Sequence, residues 1–430
     1  MTALHFIKKL IRCKGIKISD FDLDEKENIL RLWVKPHKNG ALCPKCDRRC
    51  ELITNAARTE RTWTDVPLGD WKVIFHYCPR EIDCPTHGRL QESIPWAAPF
   101  SRVTYRFEYQ MLTYASIMTL TATAGLLKIP KSTISDILHK SIQRERKGHS
   151  ITNLRSIGID EISYKKGHLY ATIVYDLERS CVIWVGQGKG RKTIDDFFEN
   201  VLGKEVALKV TTASCDMGEA YIGAIEKYCT NATLVLDRFH VVKAINDAVD
   251  EVRKDAWRNM TGKGKKAMKG LRWLLYRHSR TRKKKDTRTL NNLRKSNNKI
   301  YRAWVLKDEF EQIWEYKYGK CAGNFLEGWI TRALKSQIEP IKKFARTMRK
   351  HFSKIVAFSV TRITNAIAEG LNRIIKIIKN RASGFQNLSV FSDMIYLVVG
   401  DVDIPAQIPD DFRTACYGAN LTSVGHKRAS

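Results

Sequence analysis

Hydrophobic and polar positions alternate most regularly between residues 156 and 188, in three short segments separated by turn-forming residues. The segments are SIGIDEISY, LYATIVYDLE and CVIWVGQG, and the connections are KKGH and RS. Side chains of a strand point alternately to the two faces of a sheet, so this pattern predicts three consecutive strands. Helical and strand-like segments follow in the order KTIDDFFENVL, ALKVTTASCD, EAYIGAIEKYC and ATLVLD. We therefore predict the order βββαβαβ and a mixed sheet flanked by helices.

The pattern changes on both sides of this sheet. Upstream, the pattern predicts strands of a small β-rich module in GIKISDFDL, ILRLWVKPH and WKVIFHYC. After this module, the helical spacing is interrupted at Lys128-Ile129-Pro130, which favours a helix-turn-helix at 119–141. Any two short helices would give the same pattern. Downstream, the spacing is helical to residue 380. The predicted regions are a β-rich module (1–100), a helix-turn-helix region (101–150), the first part of an α/β core (151–240), a basic helical insertion (241–356), the last part of the core (357–400) and a C-terminal tail (401–430).

Charge points to the partner. The chain carries 75 Lys and Arg against 45 Asp and Glu, a formal net charge of +30 that attracts polyanions, and nucleic acid is the expected partner. Residues 251–300 hold 18 Lys or Arg and only 3 Asp or Glu, which favours contact with DNA phosphates over an ordinary solvated helical face. The predicted contacts are Arg280, Arg282, Lys283, Lys284 and Lys285.

A membrane is not an expected partner. No segment approaches the roughly 18 consecutive apolar residues of a spanning helix. The N-terminal segment MTALHFIKKLIRCKGIKISD lacks the longer uninterrupted apolar stretch of a secretory signal. We therefore expect a cytoplasmic protein.

Six of the eleven cysteines lie in the first hundred residues. Cys43 and Cys46 form a tight CxxC pair, and Cys78 and Cys84 offer a second pair after an intervening strand. Four thiolates can close a tetrahedral structural Zn²⁺ site, which would stabilise so small a β module. The five-residue gap of the second pair is loose for such a site, which leaves Cys50 or His87 as alternative ligands.

Two carboxylates occupy positions where the pattern predicts strands. Asp160 lies in the first predicted strand among isoleucines, where a charge is costly unless it is paired or bound to a cation. Asp216 ends the fourth predicted strand, from which its side chain can project beside the first. Carboxylates on neighbouring strands suit paired Mg²⁺ ions about 3.5–4 Å apart, which activate the attacking oxygen and stabilise the leaving oxygen of a phosphodiester.

A third acidic residue lies on the periodic helix at 361–380. Asn365, Glu369, Asn372 and Lys376 follow one another at steps of four, three and four, and so share one polar face. A surface helix with ordinary polar positions would show the same spacing. The predicted apolar surface for docking on the sheet comprises Ile363, Ala366, Ile367, Leu371, Ile374, Ile375 and Ile378.

Four blocks in order, GIDE, SCDMGEAY, LDRFHVVK and TNAIAEGLNRIIKIIKNRASGF, resemble the catalytic region of bacterial insertion-sequence transposases of the ISL-three family. The resemblance covers most of residues 155–395. It implies a ribonuclease-H-like core interrupted by a helical insertion, and a DDE triad of Asp160, Asp216 and Glu369 that holds two Mg²⁺ or Mn²⁺ ions. Asp237 and His240 match a further signature of such transposases, so a triad with Asp237 in place of Asp216 stays open. An N-terminal zinc-binding module is also implied.

The resemblance further implies what the protein does. It would cleave DNA at the ends of an insertion sequence and join those ends to target DNA, binding double-stranded terminal inverted repeats as a homo-oligomer in the bacterial nucleoid. Lys131, Ser132 and Thr133 of the second predicted short helix are candidates for entering a major groove. Two alternatives share these features: a nuclease or Holliday-junction resolvase on the same core, and a non-catalytic DNA-binding regulator derived from a transposase.

Overall fold

The structure, a computed structural model, describes residues 3–11, 16–36, 41–53, 59–147, 151–165, 167, 169–260, 262, 265, 270–277, 281, 283–362 and 366–402. The chain divides into two compact units. The first comprises residues 1–150, 381–383 and 389–430, and the second comprises residues 151–380 and 384–388. Among the described residues, no helix combines the length and the apolar character that crossing a bilayer requires.

The first unit contains two small sheets and a group of helices. Its strands are β1 (Ile16–Asp24), β2 (Ile29–Pro36), β3 (Ala41–Leu42), β4 (Arg49–Leu52), β5 (Arg61–Leu68), β6 (Trp71–Tyr77), β7 (Glu81–Cys84) and β8 (Gly88–Gln91). One sheet has the order β1-β2-β6-β5 and the other β3-β4-β7-β8. The larger sheet encloses an apolar core that includes Leu32, Phe75 and Trp96, as the alternating pattern of β1, β2 and β6 requires. The second sheet carries a cluster of cysteines.

The helices of this unit are α1 (Ala3–Ile11), α2 (Tyr105–Ile117), α3 (Leu120–Leu127) and α4 (Lys131–Arg146), joined by the late helix Leu388–Val399. The chain leaves α3 through Lys128, whose φ of 53° is left-handed, and Pro130 precedes the first turn of α4. A left-handed residue such as Lys128 ends a helix, and a proline such as Pro130 is favoured at the start of the next, which explains the predicted break at 128–130.

The division into units departs from the predicted regions at two points. Residues 1–100 and 101–150, predicted as separate modules, lie in one unit. Residues 389–400, predicted within the core, belong to this first unit, where Asp393 accepts a hydrogen bond from His139 Nδ1 at 2.9 Å and Arg146 lies over the ring of Tyr396. The helix packs there mainly through apolar residues such as Phe391 and Ile395, and the hydrogen bond from His139 satisfies the buried Asp393. The predicted tail beyond residue 402 lies outside the described residues.

The second unit is built on the predicted βββαβαβ sheet. Its strands are β9 (Ser156–Lys165), β10 (Leu169–Asp176), β11 (Cys181–Gln187), β12 (Thr212–Cys215) and β13 (Thr233–Leu236), and its intervening helices are α5 (Arg191–Asp196), which continues as a π-helix over Phe197–Leu202, α6 (Lys204–Ala207) and α7 (Glu219–Tyr228). The sheet order is β11-β10-β9-β12-β13. The first three strands are antiparallel, whereas β12 and β13 run parallel to β9.

Helices fill the described part of the predicted insertion, which contains no strand. They are α8 (Arg238–Arg258), α9 (Leu271–Tyr276), α10 (Lys284–Ser296), α11 (Asn298–Phe310), a 3₁₀ helix (Glu311–Glu315), α12 (Gly319–Lys335), α13 (Glu339–Lys350) and α14 (Phe352–Thr361). Phe310 and Trp329 of the insertion belong to the same apolar core as Ile157 and Val235 of the sheet. The insertion is therefore part of the folded core of this unit, because one continuous apolar cluster joins it to the strands.

The last helix of this unit, α15 (Ala366–Arg381), packs through a face that only partly matches the one predicted, in which Leu371, Ile375 and Ile378 are buried as expected. Its buried residues are Ala368, Leu371, Asn372, Ile375 and Ile378. Ile367 and Ile374, predicted to dock on the sheet, are 37% and 39% exposed, and Ala366 is also exposed. The predicted docking surface is therefore wrong at these positions. The packed face includes a polar residue because the Asn372 amide finds hydrogen-bond partners there. Ile363 and Asn365 lie outside the described residues.

One buried ion pair joins the larger sheet of the first unit to α2. Asp65 of β5 is fully buried, and the Arg106 guanidinium donates to both of its carboxylate oxygens and to the carbonyl oxygen of Ile11. We expect Arg106→Ala to lower the free energy of unfolding by about 3–5 kcal/mol, because it leaves a buried carboxylate without its counter-charge. Chemical unfolding measures this effect. Lys140→Ala, which breaks an exposed pair with Asp136, serves as the control, and equal losses in both variants would contradict the prediction.

Candidate active site and metal site

Three carboxylates line one edge of the five-stranded sheet. In the parallel register, Ile159 of β9 pairs with Cys215 of β12, and Cys215 pairs with Leu236 of β13. The next residue on each strand path is acidic: Asp160, Asp216 and Asp237. Asp160 lies within β9, level with the carboxyl ends of β12 and β13, so the register brings together side chains that are distant in sequence. Asp216 follows the strand next to β9, and Asp237 follows the strand beyond it.

The surroundings of Asp160 oppose its ionisation. Burial is the largest cause that raises its pKa, and the negative charges of Asp237 and Asp216 raise it further. The backbone amide of Glu161, which donates to Asp160 Oδ1 at 2.7 Å, and the nearby His240 lower the pKa without cancelling the shift. Within the described part of the chain, Asp160 and Asp216 form no ion pair with a lysine or arginine. A carboxylate in such a position is well suited to bind a cation.

The turn after β12 holds Asp216 in position. The backbone N–H of Gly218 donates to Asp216 Oδ1 at 2.8 Å. A Cβ atom at residue 218 would lie 2.8 Å from that same oxygen, so any side chain larger than hydrogen would displace the carboxylate. Gly218 is thus a site residue that the sequence analysis missed, although the block SCDMGEAY contains it.

Asp237 has a second structural role. It is the N-cap of α8, where its Oδ1 accepts the backbone N–H of Phe239 at 3.0 Å. Its Oδ2 lies 3.7 Å from Nε2 of His240. The structure therefore brings Asp237 and His240 to the same edge as Asp160, and it gives Asp237 a helix-capping function as well.

The predicted polar face of α15 is divided between the protein interior and the solvent. Asn372 is 5% exposed, and its Nδ2 donates to Asp160 Oδ2 at 2.5 Å. Glu369, in the first turn of α15, and Lys376 are exposed and make no hydrogen bond or ion pair with the described residues. Because residues three apart share a helix face, Glu369 lies one turn from the residue that contacts Asp160.

A second network lies on the other side of β9. Glu161 is half-buried and accepts the Tyr221 hydroxyl at 3.1 Å, and that hydroxyl also contacts Thr172 Oγ1 at 3.1 Å. Burial is the largest cause that raises the Glu161 pKa, and the charges of Asp216 and Asp160 add to it, whereas Lys189 lowers it. Lys189, which no sequence pattern singled out, lies after β11 in the basic segment GKGRK near these carboxylates.

A group of potential metal ligands lies in the smaller sheet of the first unit. Cys43, Cys46, Cys84 and His87 place one ligand atom each within 4.8 Å of one another, so together they could hold a metal ion. The Sγ atoms of Cys43 and Cys84 each lie 3.6 Å from Nδ1 of His87, and the Sγ atoms of Cys46 and Cys84 are 3.7 Å apart. Two knuckles of the same form provide these four residues: Cys43-Pro-Lys-Cys46 and Cys84-Pro-Thr-His87.

His87 occupies the position that was predicted for Cys78. Cys78, which the structure describes just after β6, is not a member of the group of four ligands. The β7–β8 hairpin pairs Cys84 with Gly88, which folds the intervening turn so that His87 lies beside Cys84. The predicted second pair, Cys78 with Cys84, is therefore replaced by the knuckle of Cys84 with His87.

The electrostatics of the group favour a bound cation. Burial acts to raise the Cys84 pKa, but hydrogen bonds from the Thr86 and His87 amides and from the His87 ring lower it to about 6. Cys50 lies nearby, and burial, together with its contact with Cys84, raises its pKa to about 11. The thiolate is the form that binds metal, so the lowered pKa of Cys84 favours it as a ligand.

The residues predicted to contact DNA lie at helix starts. Lys131 and Ser132 are exposed and Thr133 is half-buried in the first turn of α4. Lys283 precedes α10, and Lys284 and Lys285 begin it. All three of these lysines are exposed and form no ion pair with the described residues. Arg280 and Arg282 lie outside the described residues.

Known proteins identify the class. The profile of the ISL3 family of DDE transposases, described as Transposase, matches residues 157–395, more than half of the chain. Two relatives cover most of it: the transposase for insertion sequence element IS1001 of Bordetella parapertussis, 28% identical over 84% of this chain and 89% of its own length, and that for IS1557 of Mycobacterium tuberculosis, 26% identical over 86% and 88%. The chain is therefore a transposase, an enzyme that acts on DNA. The chain belongs to the ISL3 family of insertion-sequence transposases.

A solved structure gives a weaker likeness. The structure titled "Drosophila P element transposase strand transfer complex" aligns over 71% of this chain and 93% of that chain, with a TM-score of 0.35 and 11% identity. This similarity is too low to support any statement about the fold. Membership in a DDE family implies the use of divalent metal ions.

The ligand set of the first unit can be tested by substitution. We expect Cys46→Ser and His87→Ala each to reduce the metal content of the purified chain, because three remaining donors hold an ion less tightly than four. Cys78→Ser is the matched control, since it removes a thiol of the same unit that lies outside the group. Elemental mass spectrometry after challenge with a chelator measures retention. A loss of metal in Cys78→Ser as large as in Cys46→Ser would contradict the assignment.

Proposed function

We propose that Asp160, Asp216 and Glu369 form the catalytic triad of this transposase and hold two divalent ions, Mg²⁺ or Mn²⁺. The observation that carries the proposal is the β9–β12 register, which sets Asp160 beside Asp216 at one edge of the sheet. The fit to divalent cations is supported by the burial of Asp160 and by the lack of a lysine or arginine partner for either carboxylate among the described residues. Asp216 is preferred to Asp237 because its strand adjoins β9 and because Asp237 already caps α8.

The proposed core is ribonuclease-H-like. Three antiparallel strands followed by two strands parallel to the first, with the acidic residues on neighbouring strands, support this assignment. The third carboxylate would come from α15, after the helical insertion. Its support is Asn372, which contacts Asp160 from the helix that carries Glu369 one turn away.

The proposed reaction is two successive in-line displacements at phosphorus. Water attacks the phosphate at the element end, and the broken P–O bond leaves a 3′-hydroxyl on the element. That hydroxyl then attacks a phosphate of target DNA, which joins the strands as the target's own 3′-oxygen leaves. Divalent ions, when bound, supply activation of the attacking oxygen and charge stabilisation of the leaving one. The carboxylates would hold and orient the divalent ions, so no side chain needs to form a covalent bond to DNA.

The triad predicts a specific loss of function. Asp160→Asn, Asp216→Asn and Glu369→Gln should each reduce cleavage of labelled element ends in Mg²⁺ by at least about 10³-fold, because each removes a carboxylate charge that holds the divalent ions at the reacting phosphate. DNA affinity, measured by fluorescence anisotropy, should stay close to that of the parent. Asp237→Asn is the discriminating variant, because its loss should be smaller than that of Asp216→Asn. A cleavage rate of Asp160→Asn equal to that of the parent would contradict the proposal.

The metal site of the first unit is proposed to bind structural Zn²⁺. Three thiols and one imidazole are ligands that Zn²⁺ prefers, and four donors make a closed tetrahedral site. The surrounding sheet is small, with a four-residue apolar cluster of Ala41, Cys43, Ile82 and Cys84, so a bound ion would add stability that this cluster does not supply.

The two units are proposed to bind DNA differently. The helices α3 and α4 would form a helix-turn-helix whose residues Lys131, Ser132 and Thr133 read the terminal inverted repeats. The support is the short break at Lys128–Pro130 and the exposure of the start of α4. The lysines at 283–285 would grip phosphates without reading sequence, since they are exposed and without ion pairs among the described residues. Two element ends must be held at once, so we propose that the chain acts as a homo-oligomer on DNA.

These roles give different salt and sequence dependences. Replacing Lys283, Lys284 and Lys285 by alanine should weaken binding of end DNA and random duplex equally, and reduce the salt slope by roughly one for each phosphate that is no longer neutralised. Lys131→Ala with Ser132→Ala should instead reduce the preference for end DNA over random duplex. Binding titrations at several salt concentrations measure both effects. A sequence preference that changes in the triple variant but not in the double variant would reverse the assignment.

A further inference from the structure

A buried chain of hydrogen bonds runs from Tyr175 of β10, through Asn372 of α15, to Asp160 of β9. The Tyr175 hydroxyl donates to Asn372 Oδ1 at 2.5 Å, and Asn372 Nδ2 donates to Asp160 Oδ2 at 2.5 Å. Tyr175 is fully buried in β10, and Asn372 is 5% exposed on α15. The hydrogen-bond chain therefore connects two neighbouring strands, β9 with the first carboxylate and β10, to the helix that carries Glu369 much later in the sequence.

We propose that Tyr175 is a positioning residue for the catalytic carboxylates, and that it acts through Asn372 on Asp160 and on the placement of α15. This inference rests on the proposed function, in which Asp160 and Glu369 hold divalent ions. Tyr175 touches neither DNA nor metal in this scheme. Its role is to fix the orientation of an amide that in turn fixes a carboxylate.

The hydrogen-bonding capacities of Tyr175, Asn372 and Asp160 determine which group donates and which accepts at each step. An ionised carboxylate only accepts hydrogen bonds, so Asn372 must present its NH₂ group to Asp160 and its carbonyl oxygen to the other side. A hydroxyl on that other side satisfies the carbonyl oxygen by donation. With phenylalanine at residue 175, Asn372 Oδ1 would be buried without that donor, and the amide would no longer be held in this orientation.

A neutral amide also suits a metal site better than a cation would. Among the described residues, Asp160 Oδ1 accepts one hydrogen bond, from the Glu161 amide, and Oδ2 accepts one, from Asn372. A carboxylate oxygen offers two lone-pair sites, so each oxygen keeps one for a metal ion. Asn372 therefore orients Asp160 without neutralising its charge, whereas a lysine in its place would compete with the ion for that charge.

A second hydrogen bond fixes α15 to the same strand. Lys379 Nζ donates to the carbonyl oxygen of Ser163 at 2.7 Å, two turns beyond Asn372. Two attachments on one helix, to Asp160 and Ser163 of β9, set both its position and its rotation about its axis. Glu369, which makes no hydrogen bond or ion pair of its own among the described residues, depends on these attachments for its place. Loss of the Tyr175 hydroxyl would weaken the attachment nearer to Glu369.

The test removes a single oxygen atom. Tyr175→Phe in the full chain should weaken binding of Mn²⁺ by about 10-fold in the absence of DNA, the usual scale for groups that orient metal ligands. Titration calorimetry measures the affinity, and Asp160→Asn, which should abolish this binding, identifies ions bound elsewhere. Cleavage of element ends should fall in parallel at limiting Mn²⁺, and part of the rate should return at saturating Mn²⁺. A tyrosine that only filled space would leave the metal dependence unchanged.

Two further variants separate positioning from general stability. Tyr228→Phe is the matched control, since it removes a hydroxyl that bonds Glu199 in the same unit, and it should leave Mn²⁺ affinity unchanged. In an Asn372→Leu background, Tyr175→Phe should change the affinity by less than about twofold, because the intermediary is gone. Equal effects of Tyr175→Phe in both backgrounds, or a parent-like Mn²⁺ affinity of Tyr175→Phe, would overturn the inference. Parent-like cleavage by Asp160→Asn would instead overturn the proposed function, so the two failures are distinguishable.

Discussion

The parallel pairing of β9 with β12 is the constraint on which the site depends. It sets Ile159 opposite Cys215, so that Asp160 and Asp216 become neighbours at one edge although a hairpin and several helices separate them in the chain. The same pairing concentrates negative charge where burial already disfavours it, and the pKa of Asp160 rises as a result. Burying these carboxylates side by side lowers the stability of the fold, and a bound cation would reduce the repulsion between them.

Much of the second unit could be predicted from its pattern. The segments at β9, β10 and β11 alternate clearly and are separated by turn residues, which is why these strands were found. The sheet order could not be derived in the same way, because pairing between distant strands leaves no local periodicity. In the first unit, α1 and the strands β3, β4, β5, β7 and β8 were missed. Strands of four residues show too little alternation to be distinguished from a loop.

The candidate site divides in a similar way. Asp160 stood out because a charge within an isoleucine-rich strand requires an explanation, whereas Tyr175 did not, because a tyrosine in a buried strand usually belongs to the core. His87 was considered only as a substitute ligand, although Cys84-Pro-Thr-His87 has the same form as Cys43-Pro-Lys-Cys46. The polar face of α15 was recognised, but helical spacing does not determine whether that face points to the protein interior or to the solvent. Its orientation follows from the hydrogen bonds of Asn372 to Tyr175 and Asp160.

The course of the chain between the two units has a consequence for synthesis. The first unit includes residues near both ends of the described chain, since the helix Leu388–Val399 packs with the N-terminal elements almost entirely within it. The second unit likewise receives α15 only after the whole insertion. A polypeptide that stops anywhere inside the insertion therefore lacks Glu369, Asn372 and Asp393 together. Neither unit can therefore complete its described set of elements until the residues that follow the insertion have been synthesised.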